Sequence, residues 1–556
     1  MKWLESFVYN VNGEKRKRMM VILVTMLALV ASVMMLPTKI VKARMLPGKS
    51  ANTFSVYVDA PSGSSIQQTH QITDCVVDLL SKEQAVINSE VFLGMGAPLD
   101  YAGLVKGSTL KQGENVAEIV VNLTDKHHRE EPSYMMVHRL RPVIKKKCET
   151  LLPETSIKMI EQPAGPPTMA SVVVEVYGDN YKLIQDMAKR VKGVLQSTAK
   201  LVDVDVMEDE LYTKYELIAD SEKVARSGVS LKQLNQILYL AFEGMAVAVK
   251  NSQHSPDQIP LFVVLDKSKY LDDRSREALE GKLSSLRLMN QKGMMVPVNE
   301  LVDIVPVTNS PIIFSKDLKK MINVIAETDM ESQVYPLLEA RDKMIEEFSK
   351  DFNVTKEPGM STYMFDLHLR DKKTGAHYLL RWDGEMKVTL DTFRDLGGAF
   401  IAALILIFLL LVIYYKSFAI SGIILGGSFL SIIGVIIGHW VADLVTTDTF
   451  FLTATSLIGF IALMGISSRN SLLLIDFTKS LIKEKGIEKR EAIAIATATR
   501  AKPIMLTAIA IILGSALLAT DPIFGGLGVA LISGTVAAVI VSLLFVPVLM
   551  YGTKAV

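Results

Sequence analysis

The apolar residues of this chain are gathered into six blocks. One lies near the N-terminus and five crowd the C-terminal end. Met19–Leu36 is the first. Leu396–Tyr415, Phe418–Val441, Phe450–Phe477, Pro503–Ala519 and Ile523–Tyr551 follow. A membrane-spanning helix needs about 20 residues, and each block is compatible with one. The stretch between, roughly Lys39 to Arg394, reads as soluble. Apolar residues make up 49% of the chain and charged ones 21%, with a mean hydropathy of +0.30. A uniform soluble domain rarely combines these values. The chain therefore reads as a membrane protein with a large soluble part.

Flanking charge sets the expected orientation. Lys15, Arg16, Lys17 and Arg18 precede the first block, which places the N-terminus in the cytoplasm. The loop after the third C-terminal block carries Lys479, Lys483, Lys485, Lys489, Arg490, Arg500 and Lys502. The loops 442–449 and 520–522 carry only Asp443, Asp448 and Asp521. Six crossings with both termini inside satisfy these constraints, and the soluble stretch then faces outward. A cleaved signal peptide competes for the first block. No small-x-small site follows it, so the anchor reading is preferred. A net charge of +1, with no basic stripe interleaved with aromatics, points to no nucleic-acid partner.

The outward stretch alternates strand and helix patterns. Thr53–Ala60, Val86–Met95, Val116–Asp125 and Ser156–Glu161 read as strands. Ser64–Lys82 reads as a helix with Ser64 or Ser65 as N-cap, and Pro132–Leu152 as a basic amphipathic helix. The order βαββαβ is that of a split βαβ unit. Pro163-Ala164-Gly165-Pro166-Pro167 is a stiff linker. A second unit runs through Ala170–Gly178, Tyr181–Thr198 and Val202–Met207. An insertion over about Tyr212–Val307 interrupts it, and it resumes at Ile312–Glu327 and Gln333–Lys350. Asp351–Lys373 has no clear period. Cys75 and Cys148 fall on the two helices of the first unit. If those helices run antiparallel with their ends level, Cys148 faces a residue near Gln68, about 10 Å from Cys75. A disulfide needs Cα atoms within about 7 Å, so two free thiols are expected.

Arg469 interrupts the third C-terminal block, which is otherwise uncharged until Asp476. A charge inside an apolar span costs roughly 2.5–3.5 kcal/mol on insertion scales and often marks an ion or proton path. Alternatively Arg469 lies at the membrane edge and snorkels to water.

The run Thr453–Leu463, followed by Arg469-Asn470-Ser471-Leu472-Leu473-Leu474-Ile475-Asp476-Phe477, resembles the tenth membrane helix of resistance-nodulation-division (RND) efflux permeases. Arg500-Ala501-Lys502-Pro503-Ile504-Met505-Leu506-Thr507 resembles the start of their eleventh. Asp521-Pro522-Ile523-Phe524 and Phe545-Val546-Pro547 resemble their twelfth, and Trp382–Glu385 with Phe393–Gly397 the start of their eighth. The resemblance covers nearly the whole chain, but only the C-terminal half of such permeases, which are tandem duplications of twelve helices.

The resemblance implies an α+β membrane protein with six transmembrane helices, one then five. It would carry a periplasmic domain of ferredoxin-like βαββαβ units and a docking-type insertion. The implied division is a cytoplasmic N-terminus (1–18), a transmembrane helix (19–38) and porter-like subdomain 1 (39–168). Porter-like subdomain 2 (169–211 and 308–392), a docking-like insertion (212–307) and five transmembrane helices (393–556) follow. In the family a mid-membrane cluster carries protons, built from two aspartates of the fourth helix, a cation of the tenth and a threonine of the eleventh. Arg469 aligns with the cation and Thr507 with the threonine, and Asn470 lies beside them as proton-relay support. Arginine does not deprotonate in a protein, so Arg469 would be a fixed counter-charge. It is expected to face the bundle interior near Thr507. No Asp-Asp pair occurs in any apolar block, which calls for an N-terminal-half partner. A proton gradient as energy source, no cofactor, a trimer, a periplasmic adaptor, an outer-membrane channel and an inner-membrane location are likewise implied.

Other features discriminate less. Gly422–Gly426 and Gly434–Gly438 have the Gly-x-x-x-Gly spacing that allows close helix approach, although that spacing is abundant in membrane helices. His439 is expected at the interface. By resemblance the loop Gly94–Gly113 borders the substrate pocket, with Tyr101 as a candidate contact. Methionine pairs such as Met135-Met136 and Met294-Met295 suit soft metals, so heavy-metal export is an alternative; core filling is the stronger explanation of them. His127-His128 lacks ligand spacing. No nucleophile with a base, phosphate loop or Cys/His cluster is present, and an enzyme is not expected. An accessory membrane protein or gene fragment is the alternative outside transport.

Overall fold

The computed structural model describes residues 2–48, 50–162, 165–208, 211–253, 258–264, 275–358, 363–446 and 449–556. Asp448 and the Pro163-Ala164 part of the linker lie outside the described residues. The chain opens with α1 (Lys2–Gly13) and α2 (Lys15–Met34). A first α/β unit follows: β1 (Thr53–Asp59), α3 (Ile66–Leu80), β2 (Val86–Met95), α4 (Tyr101–Lys106), β3 (Gln112–Leu123), α5 (Ser133–Cys148) and β4 (Ser156–Glu161). Its sheet is antiparallel in the order β2-β3-β1-β4. Ser65 caps α3 in a reciprocal capping box with Gln68, which satisfies two otherwise orphaned N–H groups. Phe54, Val56 and Val58 of β1 alternate onto the helices and meet Ile72, Val76 and Ile144 in one core.

The two cysteines are joined, contrary to the expectation of free thiols. Cys75 and Cys148 form a disulfide across Cα atoms 5.8 Å apart. The helix ends are not level, which was the assumption that failed. Arg139 of α5 makes a two-pronged contact with Glu83, just beyond the end of α3, at 3.0 and 2.8 Å. That contact marks an offset of α5 along α3 of about two turns from level ends. Nine residues further along α5, Cys148 then stands beside Cys75.

The second unit comprises β5 (Val172–Gly178), α6 (Tyr181–Gln196) and β6 (Leu201–Met207), then an insertion. The insertion contains β7 (Thr213–Ala219), α7 (Ser221–Ser227), α8 (Leu231–Phe242), β8 (Met245–Lys250), β9 (Ile259–Val263), α9 (Arg276–Ser285), β10 (Arg287–Met289), β11 (Met295–Pro297) and β12 (Val302–Thr308). The unit resumes with β13 (Ser315–Lys316), β14 (Lys319–Thr328), α10 (Val334–Phe348), β15 (Phe352–Lys356), β16 (Leu367–Asp371) and β17 (His377–Asp383). β15 and β16 lie in the stretch whose period was unclear, and β17 follows it. They join the sheet in the order β13-β14-β5-β17-β16-β15, with β6 also on β14. Every residue of β5 but the last is buried, as expected of a central strand covered on both faces.

The C-terminal helices are α11 (Glu385–Tyr415), α12 (Phe418–Phe429), α13 (Ile432–Val445), α14 (Ala454–Lys485), α15 (Lys489–Ala519), α16 (Gly525–Ile540) and α17 (Val546–Gly552). A short π-helical turn, Val541–Phe545, joins the last two. Among the described residues six spans are long and apolar enough to cross a membrane, with α12–α13 and α16–α17 each counting as one. Of the two glycine pairs, one builds the packing. A Cβ at Gly434 would lie 2.4 Å from the Ser533 carbonyl oxygen, and one at Gly438 2.1 Å from Ser533 Oγ. At Gly422 and Gly426 a Cβ would meet nothing within 4 Å.

Candidate functional site

The two α/β units meet across a cleft lined with charge. Strand β6 reads Val202-Asp203-Val204-Asp205-Val206, which puts its two carboxylates on one face. That face meets the basic side of the first unit. Arg141 of α5 donates through Nε to Asp203 Oδ2 at 3.2 Å and through Nη1 to Asp329 Oδ1 at 2.8 Å. Lys145 lies 2.6 Å from Asp203 Oδ1. Lys158 of β4 pairs with both Asp205 and Asp59. His138 Nδ1 is 2.7 Å from Asp329, and Lys106 of α4 is 2.8 Å from Glu327. Five basic residues of one unit thus face four carboxylates of the other. Asp203 holds a left-handed backbone, φ +52°, where the β6–β14 register shifts. Such bulges commonly re-aim a side chain. Its side chain is fully buried and that of Arg141 nearly so.

The charges shape one another. Burial alone would raise the Asp59 carboxyl, but Lys158 and Lys111 outweigh it and hold it down to about 2. Burial likewise opposes ionisation of Glu327, yet Lys106 and Ser171 hold it below the usual carboxylate range. Burial pushes Glu161 up to about 7, against the pull of Arg141 and Arg44.

At the floor of the cleft is a cavity of about 120 Å³. The segment after α2 (Arg44–Gly48), the end of β4, α4, β14 and the head of α11 all line it. The candidate contact Tyr101 lies at the start of α4 and is exposed, with Leu99, Leu104 and Leu110 exposed on the same loop. Lys106 at the other end of α4 ties that loop to the second unit.

In the membrane half, Arg469 sits midway along α14 and is exposed. Thr507 is also exposed, and its Oγ1 donates to the carbonyl of Ile504 at 2.9 Å. The expectation that Arg469 faces the interior of this bundle is therefore corrected. Arg469 lies on the outer stripe Ile458-Ala462-Gly465-Arg469-Leu473, while Ser467, Asn470 and Ser471 face inward and are buried. The reason is period. Leu463, Leu474, Ser467 and Ser471 fall on the face of α14 packed on its neighbours, and Arg469 falls on the opposite face. Asp476 accepts a hydrogen bond from Tyr415 OH at 2.7 Å. Tyr415 is the last residue of α11, so Arg469 lies about 10 Å deeper along α14 than the end of that helix.

His439, expected at the interface, points into the helix bundle. It is fully buried, donates through Nδ1 to the Val435 carbonyl at 2.8 Å, and sets Nε2 2.8 Å from Ser456 Oγ. Met136 is a core residue of α5, whereas Met294 and Met295 are exposed. The sequence reading missed the Asp203–Asp205 face. The alternation of valine with aspartate was its signal, and the basic helix α5 its complement.

The profile of the AcrB/AcrD/AcrF family matches residues 7–363 and 367–553. The swarming motility protein SwrC of Bacillus subtilis is 28% identical over 385 residues, covering 67% of this chain and 32% of SwrC. The multidrug export protein AcrF of Escherichia coli is 22% identical over 90% of this chain and 45% of its own. The cobalt-zinc-cadmium resistance protein CzcA of Cupriavidus metallidurans is 22% identical over 68% of this chain and 33% of its own. An X-ray structure of a heavy-metal efflux pump superposes with a TM-score of 0.69 at 18% identity, covering 98% of this chain and 52% of that one. The chain thus spans about a third to a half of the length of these relatives. It belongs to the AcrB/AcrD/AcrF family of RND efflux permeases.

Proposed function

We propose that this chain is the C-terminal half of a proton-driven efflux transporter. It would export small molecules from the periplasm or inner membrane together with a polypeptide that supplies the N-terminal half. Arg469 carries this reading. It is a permanent charge in mid-helix, on an apolar face, with no ion pair among the described residues. Left in lipid it costs roughly 2.5–3.5 kcal/mol on insertion scales. A partner helix bearing carboxylates would cover it, and Thr507, also exposed, would line the contact, whereas Asn470 is turned inward, away from it. At Gly465, one turn away, a Cβ would meet nothing within 4 Å, which leaves room for such a helix. The Cys75–Cys148 disulfide fits an outward, oxidising compartment for the α/β units. The hairpin β8–β9 is exposed along its whole length and rich in apolar side chains, as an arm gripping a neighbouring copy in a trimer would be. An adaptor and an outer-membrane channel complete this reading, and Tyr101 with its apolar loop would touch substrate at the cleft.

The test is reconstitution. Proteoliposomes holding this chain and a partner with the paired aspartates should show proton-coupled efflux. Transport by this polypeptide alone would overturn the half-transporter reading. Heavy-metal export is the second reading, favoured by the relative CzcA and the heavy-metal pump structure and by the thioethers of Met45 and Met159 in the cavity wall. Efflux of metal cations but not of organic compounds by the reconstituted pair would select it.

A further inference from the structure

We propose that Glu161 is a proton-operated clasp between the two α/β units: neutral, it lets the cleft close over the cavity, and ionised, it is shut away from water in the closed cleft and so favours the parted one. Glu161 ends β4 of the first unit and lines the cavity with Glu327 of β14 and Glu385 at the head of α11. All the other cross-cleft contacts described above join opposite charges. Glu161 differs, because it stands on the basic side of the cleft and meets carboxylates. The charged groups acting on it are Arg141 from α5, Arg44 from the segment after α2, Glu327 from β14 and Asp329 just after it. Lys106 of α4 and Glu385 of α11 share the cavity.

The two arginines do not neutralise Glu161. Arg141 is already spent on Asp203, Asp329 and the Met159 carbonyl. Arg44 Nε is buried without a hydrogen bond. Glu161 itself makes no side-chain hydrogen bond or ion pair among the described residues. An ionised carboxylate left so is costly in a closed cleft and cheap in an open, wet one. The units also meet mainly through ion pairs, so their contact can separate without tearing a shared apolar core: the core clusters of the two units have no residue in common.

The sign follows from the titration. In the closed cleft Glu161 ionises near 7, and in water near the ordinary glutamate value of about 4.3. Below about 4.3 it is neutral in both states and adds nothing. Between about 4.3 and 7 closing takes up a proton, so the closed-to-open ratio falls up to about tenfold per pH unit. Above about 7 the effect levels off. Asp59 and Glu327, held low by their lysines, stay ionised through most of this window. His138 also faces Asp329 across the cleft, at 2.7 Å, so the experiment must separate it from Glu161.

The experiment measures distance, so it can fail while export stands, and export can fail while it stands. Spin labels at Gln71→Cys and Lys189→Cys, both exposed on outer helices of the two units, report the cleft in the full chain. The native cysteines are disulfide-bonded and take no label. The short-distance population should grow from pH 7.5 to pH 5.5. In Glu161→Gln it should stay at its acid value at both. Identical distributions at the two pH values with Glu161 in place would overturn the clasp. So would a pH response surviving in Glu161→Gln, which would assign it to another group at the cleft. Infrared difference spectra of the unsubstituted chain give a check independent of whether Glu161→Gln folds. A carboxylic C=O band should titrate near neutral pH, and no band titrating above pH 6 overturns the proposal.

Discussion

Arg141 of one α/β unit reaches Asp203 of the other at 3.2 Å, and Asp203 turns its backbone left-handed to receive it. The pair is sealed from water on both sides. Buried charges so placed are specific rather than sticky: each is tolerable only while its partners, Asp329 and Lys145 included, are present. The cleft therefore has a defined closed geometry without a large apolar contact holding it shut.

The first prediction concerns that pair. Asp203→Ala takes the buried carboxylate from both Arg141 and Lys145, leaving Arg141 only Asp329 and the Met159 carbonyl, and breaking a buried pair typically costs about 3–5 kcal/mol. Thermal unfolding of the full chain in detergent should show a clearly lowered midpoint. Replacing both partners, Arg141→Met with Asp203→Leu, should recover much of the loss. A double variant as unstable as Asp203→Ala would show that the pair is more than charge compensation.

Helix approach makes the second. Gly434→Leu and Gly438→Leu would drive side chains into Ser533 and should prevent stable accumulation in the membrane. Gly422→Ala and Gly426→Ala meet open space and should leave stability unchanged or raise it by up to about 1 kcal/mol, because alanine favours helix. Membrane abundance and detergent melting read both pairs.

The disulfide gives the third. Cys75→Ser with Cys148→Ser should lower the stability of the first α/β unit by about 2–4 kcal/mol, seen as faster proteolysis of that unit. Thiol labelling of the unfolded wild-type chain should detect no free cysteine until a reductant is added.

The fourth concerns Arg469 in the complete transporter. Arg469→Ala should abolish transport while leaving abundance nearly intact, because it would deprive partner carboxylates of their counter-charge. Arg469→Lys should keep part of the activity, since an ammonium supplies the same charge without the planar fork. Normal pumping by Arg469→Ala would assign Arg469 to a snorkelling role.

Strands β2 and β4, the Ser65 cap of α3 and all six apolar spans were legible because their signals are local. A strand alternates every second residue and a helix repeats every 3.6, and a few neighbouring side chains reveal which. Charge at the ends of the apolar blocks is equally local. Even the mid-helix depth of Arg469 follows from counting along one helix. Tertiary structure decided what each face meets. Cys75 and Cys148 pair because α5 is offset along α3, the offset that the Arg139–Glu83 contact marks, a register that no single helix contains. His439 is buried because Ser456, from the next helix, comes to its ring. The carboxylates of β6 stood in plain alternation, but only the approach of α5 made them one wall of a cleft. Periodicity belongs to one element, whereas register and partnership belong to pairs of elements distant in the chain, and long-range packing sets them.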